Sequence, residues 1–334
     1  MAARPIVLRK IDFMRESFMK LITFEEYREY VRTHKFVKIE DEEVKVGEPH
    51  QIKDYQPKDF MLETTTVWSF PNRGDWATHK GDYRGNWAPQ IPRNLILRYS
   101  KPGEWVLDQM CGGGTTLIEC KLLGRNGIGV DINYEALILT LDRLNFTYKP
   151  LDSEYTEPEI RVYQGDARKL DLIEDESIDL IATHPPYYNI IPYYKGKKVE
   201  GDLSFMRKLE EYLNGIKEAA KESYRVLKPG RYCAILIGDT RKHRCYVPIA
   251  FKVMQQFLDV GFILREDIVK VQWHTKTTRE KWAGLARTAN QCWVEEQKGK
   301  YFTDFYLIAH EHLFVFKKPS NKDDVKKYCY SAKW

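Results

Sequence analysis

No apolar run in these 334 residues approaches the roughly 20 needed to cross a bilayer, so no membrane partner is expected. The N-terminus lacks the basic–apolar–small order of a secretory leader, which makes a cytoplasmic location the default. Cysteine is sparse and unpatterned. Cys111, Cys120, Cys233, Cys245, Cys292 and Cys329 show no Cys-x-x-Cys spacing, so neither a zinc site nor a disulfide framework is expected and no metal ligand is assigned. Cys120 and Cys233 instead sit in apolar helix or strand patterns, where a reduced thiol packs as a small hydrophobe. Charge of one sign is not in large excess either. A formal net charge of +5 permits a nucleic-acid partner without requiring one. With 43% hydrophobic and 30% charged residues, the chain is not a disordered one, and its length suits one large α/β domain with additions, or two domains.

What is present is organised around Val106-Leu107-Asp108-Gln109-Met110-Cys111-Gly112-Gly113-Gly114-Thr115-Thr116. A short apolar run ends in an acid, passes through three glycines and opens into Leu117–Leu123, which has helical spacing. This is a strand, a tight turn and a helix, with a backbone that a ligand can approach closely. Such a turn alone fits any dinucleotide fold. Two later strands sharpen it. Asn126–Asp131 again ends in an acid, about twenty residues on, where a carboxylate can accept both hydroxyl protons of a ribose. Ile178–Thr183 runs into His184-Pro185-Pro186-Tyr187-Tyr188, where two prolines fix an extended turn.

Together these motifs resemble the amino-methyltransferase family that includes the DNA methyltransferases acting on cytosine N4 and adenine N6. The resemblance covers about Thr64 to Lys318 and leaves the first sixty residues outside. It implies a Rossmann-like class I methyltransferase: an α/β fold whose seven-stranded, mostly parallel sheet has an antiparallel last strand. It implies S-adenosylmethionine as cofactor, held by Asp108, Met110, Cys111, Gly112, Gly114, Thr115 and Thr116 of the loop, by Asp131 and Ile132, and by Asp166 and Ala167. By the same resemblance Asp131 grips the ribose and Asp166 the adenine amine. An aromatic segment before the glycine loop, with Trp87, is expected over the methionine end, where a π face attracts a sulfonium by roughly 0.5–2 kcal/mol.

His184, Pro185, Pro186 and Tyr187 are the expected catalytic residues. A base amine is a poor nucleophile because its lone pair is delocalised into the ring. Accepting its N–H bonds, from a side chain and a proline carbonyl, returns electron density to nitrogen, and Tyr187 is expected to stack on the extruded base. His184 departs from the Ser, Asp or Asn of the family. A neutral imidazole accepts one hydrogen bond; a protonated one only donates. Direct transfer is expected because no Pro-Cys nucleophile pair occurs.

Tyr188, Tyr193, Tyr194, Lys195, Arg241, Arg244 and His274 are candidate substrate contacts: aromatics among cations suit single-stranded nucleic acid, and Arg241 and Arg244 follow a strand end. The expected division is an N-terminal accessory extension (1–62), a methyltransferase domain (63–318) with a recognition insertion at 272–306, and a peripheral tail (319–334). Residues up to 44 suggest one or two amphipathic helices and a strand Phe36–Ile39, with Glu40–Glu43 a solvated turn. So little spare material favours a substrate recognised by shape, such as structured ribosomal RNA, over DNA, with cytosine N4 first and adenine N6 second. No obligatory protein partner is inferred. The reading of another class is a cofactor- and nucleic-acid-binding protein that His184 has left inactive.

Overall fold

The computed structural model describes residues 17–39, 42–82, 85–150, 155–188, 201–243, 245–273, 306 and 308–333. In chain order its elements begin with β1 (Lys20–Leu21), α1 (Phe24–Thr33), β2 (Phe36–Ile39), β3 (Glu42–Lys45), β4 (Val67–Ser69) and α2 (Gln90–Tyr99). Next come β5 (Trp105–Asp108), α3 (Thr115–Leu123), β6 (Asn126–Asp131), α4 (Tyr134–Leu144), β7 (Ile160–Gln164) and β8 (Ile178–Thr183). Then follow α5 (Leu209–Val226), β9 (Leu227–Ile237), β10 (Thr240–Lys242), β11 (Cys245–Val247), α6 (Ile249–Val260), β12 (Ile263–Val271) and β13 (His310–Lys317), before a short helical stretch, Val325–Ala332.

β5 and β8 are buried along their whole length, which is why they read as mostly apolar runs, broken by Asp179 in β8, rather than as alternating ones. They lie side by side in one sheet of order β1-β7-β6-β5-β8-β9-β13-β12-β4. From β7 through β9 neighbours are parallel, and β13 runs antiparallel to both β9 and β12. The seven expected strands are the inner seven. The sheet itself has nine, because β1 adds antiparallel to β7 and β4 parallel to β12 at the two edges. Strand order reverses direction between β5 and β8. In an open α/β sheet that reversal leaves a crevice beyond the carboxyl ends of the strands.

The N-terminal residues correct two expectations. Lys20–Leu21, within a stretch of helical spacing, is an edge strand, because Thr23 starts α1 by accepting from Glu26 N at 3.1 Å. Glu42 and Glu43 belong to β3, paired with β2 in a hairpin, not to a solvated turn. Nor is the segment an appendage. Ile22, Tyr27, Val37, Ile39 and Val46 are buried in the same apolar cluster as Leu117 of α3 and Leu137 of α4, and Tyr27 Oη donates to Asp142 at 2.7 Å. Within the extension expected to end at 62, these residues thus share the apolar core of α3 and α4. α5 begins at Leu209, after a 3-10 turn over Leu203–Phe205 capped by Asp202. Among the described residues no helix is long and apolar enough to cross a membrane.

Candidate active site

Asp108, at the end of β5, ties the crevice floor together. Its carboxylate accepts from Thr116 Oγ1 (2.5 Å), Thr183 Oγ1 (2.9 Å) and Met110 N (3.3 Å), joining the glycine loop to α3 and to β8. Burial pushes its pKa up to about 6 against these hydrogen bonds. The loop then turns through Gly112 and Gly114 at positive φ. A Cβ at Gly114 would also stand 2.7 Å from Thr140 Cγ2, so glycine is required twice over there. Asp131, at the end of β6, accepts from Gly112 N (2.8 Å) and Asn133 N (2.9 Å). About two of its four acceptor positions are thereby used. Burial raises this carboxyl to about 6 as well, opposed by the same N–H groups. Asn133, not Asp131, caps α4, accepting from Glu135 N at 3.0 Å.

These ends border an open cleft of about 860 Å³, solvent at its mouth included. Trp87, Asp108, Met110, Cys111, Gly112, Asp131, Ile132, Asp166 and Ala167 line it, as do His184 and Pro186. Gly114, Thr115, Thr116, Pro185 and Tyr187 do not. Thr116 is spent on Asp108, and Gly114 on the turn. Asn86, Gln109, Asn133, Gly165, Asp202 and Leu203 also line the cleft and were not assigned to it; Gln109 lies within the glycine-loop motif, and the polar, glycine-rich run around Asn86 signals that residue in the sequence. Asp166, expected at the adenine amine, grips Arg168 through Nε (2.9 Å) and Nη2 (2.6 Å).

The residues fit S-adenosylmethionine on one structural ground in particular. Asn86 Nδ2, on a residue that lines the cleft, is buried without a hydrogen-bond partner among the described residues. Asn86 Nδ2 lies 3.3 Å from where a Gly113 Cβ would stand, and Arg73 Nη1 donates to Asn86 O at 3.1 Å. An orphaned buried donor costs about 1–3 kcal/mol, which an incoming carboxylate would offset. A spare donor beside the glycine loop and spare carboxylate positions at Asp131 match an amino acid joined to a ribose.

The aromatic segment that brings Asn86 and Trp87 here is anchored by a buried carboxylate. Glu119 of α3 accepts from Trp76 Nε1 (2.7 Å), His79 Nε2 (2.7 Å) and Arg93 Nη1 (2.8 Å). Trp87 in turn stacks on His184, ring centroids 5.8 Å apart at 17°. Burial drives the His184 pKa down to about 4, against the opposing pull of Glu311. The ring is therefore neutral at physiological pH and able to accept.

Tyr187 corrects the expectation of base stacking. Its ring is buried against Gly238, where a Cβ would come within 2.8 Å, and its hydroxyl donates to Glu311 Oε1 at 2.6 Å. It lies beyond the end of β8, turned into the core. Glu311, on β13, was not foreseen. Tyr188 Oη donates to Arg207 O (2.7 Å), and Arg241, on the β10–β11 hairpin, donates from Nη2 to Tyr306 O (2.8 Å). Tyr193, Tyr194, Lys195, Arg244 and His274 lie outside the described residues, as does most of the insertion at 272–306.

Fold and cleft define a Rossmann-like methyltransferase domain. A family model described as DNA methylase matches residues 13–141 and 178–333, and one described as an RMKL-like methyltransferase domain matches 95–200. The chain belongs to the DNA methylase family, its cofactor is S-adenosylmethionine, and the match reaches well before Thr64, where the resemblance was expected to begin. The tRNA (guanine(10)-N2)-dimethyltransferase of Methanothermobacter thermautotrophicus is 35% identical over 106 residues, 31% of this chain and 29% of the relative. The Type II methyltransferase M.BglII of Bacillus subtilis is 32% identical over 155 residues, 46% of this chain and 40% of the relative. The chain thus spans less than half the length of these curated relatives. Among solved structures, TrmN from Thermus thermophilus aligns with 70% of this chain and 50% of its own, at 19% identity and a TM-score of 0.42.

Proposed function

We propose that this chain transfers a methyl group directly to an exocyclic amine of a nucleobase, with cytosine N4 in structured RNA as the first choice of acceptor. The observation that carries this reading is the placement of His184 and Pro186 on the same cleft as Gly112 and Asp131, at the carboxyl ends of adjacent strands. When bound, S-adenosylmethionine supplies a methyl carried on a sulfonium. Asn86, Gly112 and Asp131 would hold it, with Trp87 nearby. His184 accepts one N–H of the incoming amine and the diproline backbone the other, so the nitrogen lone pair is freed as its protons are held. The amine gains a methyl and gives up one proton to the His184 nitrogen that accepts its N–H, from which it passes to solvent. Held in line, the reactants gain several kcal/mol, up to ~10, from orientation. A pKa near 4 argues against the inactive reading, since it keeps His184 an acceptor where the family has one.

The tRNA relative supports RNA, and its named position adds guanine N2 to the amines that need testing. The family description and the Type II relative favour the second reading, a DNA N4 or N6 methyltransferase. Nucleoside mass spectrometry decides, after incubation with S-adenosylmethionine and either unmodified RNA or unmethylated DNA. N-methylated ribonucleoside alone is expected. Methylated deoxynucleoside alone would transfer the conclusion to DNA, and a methyl on ring carbon would overturn the amine chemistry.

A further inference from the structure

A chain of polar contacts behind the cleft ends on His184. Lys270 Nζ of β12 holds Glu311 Oε2 at 2.8 Å, Tyr187 Oη donates to Glu311 Oε1 at 2.6 Å, and His184 Nε2 lies 2.8 Å from Tyr187 Oη. A phenol has one proton to give. Directed to a carboxylate, it leaves the oxygen able only to accept from the imidazole, so Nε2 must carry the ring hydrogen. Glu311 is ionised: burial opposes its charge, but the Lys270 ammonium and the hydrogen bonds from Lys270 and Tyr187 outweigh that and hold the carboxyl well below its usual range. The chain is also built to stay aligned. Tyr187 and Glu311 are buried, Gly238 leaves room for the phenol ring, and Trp87 stacks on the imidazole from the other side.

We propose that Glu311, acting through Tyr187, is a positioning residue that fixes His184 as the Nε2–H tautomer and leaves Nδ1 as the acceptor for the target amine. The catalytic half of this inference rests on the amine-acceptor role given to His184 above; the tautomer does not. Glu311→Gln provides a directed test. Lys270 needs an acceptor, so the amide oxygen turns toward it and the amide NH₂ toward Tyr187. The phenol proton is then sent to His184 Nε2, and the ring hydrogen must move to Nδ1.

The experiment is nitrogen-15 NMR of the histidine-labelled full chain, with the His184 signals identified by their loss in His184→Asn. Wild type is expected to show protonated Nε2 and bare Nδ1, Glu311→Gln the reverse, and Tyr187→Phe a mixture. In parallel, kcat should fall by roughly 10- to 100-fold in Glu311→Gln, with the Kd of S-adenosylhomocysteine unchanged. Protonated Nδ1 in wild type, or an unaltered tautomer in both variants, overturns the relay. An inverted tautomer with undiminished kcat keeps the relay and sinks the acceptor role of His184 instead.

Discussion

Cofactor affinity should fall in acid because of Asp131, while the fold does not. Burial raises this carboxyl to about 6, with the N–H groups of Asn133 and Gly112 opposing. An unfolded aspartate titrates near ~3.9. Between those values the folded chain holds a proton that the unfolded chain lacks, so acidification through this window favours folding by way of this group. The loss falls on binding, because a protonated carboxyl can no longer accept from both ribose hydroxyls. Each pH unit below 6 corresponds to about 1.4 kcal/mol, or tenfold in Kd. Isothermal titration of S-adenosylhomocysteine between about pH 5 and 8 should give a flat Kd above neutrality and roughly tenfold weaker binding at the acid end. Asp131→Asn should bind about 10- to 100-fold more weakly at neutral pH, having lost charge-assisted hydrogen bonds of about 1.5–3 kcal/mol, and should show no acid limb. A wild-type Kd that stays flat to the acid end refutes the role of Asp131. An acid limb surviving in Asp131→Asn assigns the titration to Asp108, the neighbouring carboxyl of similar pKa.

Other consequences follow from particular contacts. Glu119→Ala strands a buried Arg93 along with the Trp76 and His79 donors, and should cost about 3–5 kcal/mol in urea unfolding; a loss under ~1 would mean the aromatic segment is anchored otherwise. Gly114→Ala should destabilise by about 1–3 kcal/mol, and adding Thr140→Ser, which removes the clashing Cγ2 but keeps the hydroxyl bonded to Gly112 O, should recover part of that. Asp108→Asn should fold nearly as well as wild type because Thr116 Oγ1 can accept from the new amide, whereas Asp108→Ala should melt markedly lower; equal melting temperatures would show that its three hydrogen bonds contribute little.

Much of the cleft was legible because its signals are local. An acid closing an apolar run, glycines in the next few residues and a diproline after another run each report a strand end and the backbone beyond it. The edge strand at Lys20–Leu21 was not legible, since two residues carry no period and their partner, β7, lies far along the chain. The hairpin strand at Glu42–Lys45 hides for a related reason: its acids face solvent while only Val44 points inward.

The sequence by itself therefore determined the strand–loop–helix units, the sheet they build, and the acids and prolines that meet where strand order reverses. It did so because each depends on spacing within one element and on handed connections between elements. Only the tertiary structure decided what those groups do. Tyr187 looks like a base-stacking ring until packing of the segment after β8 turns it inward onto Glu311, 124 residues away. His184 looks like a defect until burial and Trp87 leave it a neutral acceptor. Protonation and direction belong to the surroundings of a side chain, and those surroundings come from elements that no local spacing connects.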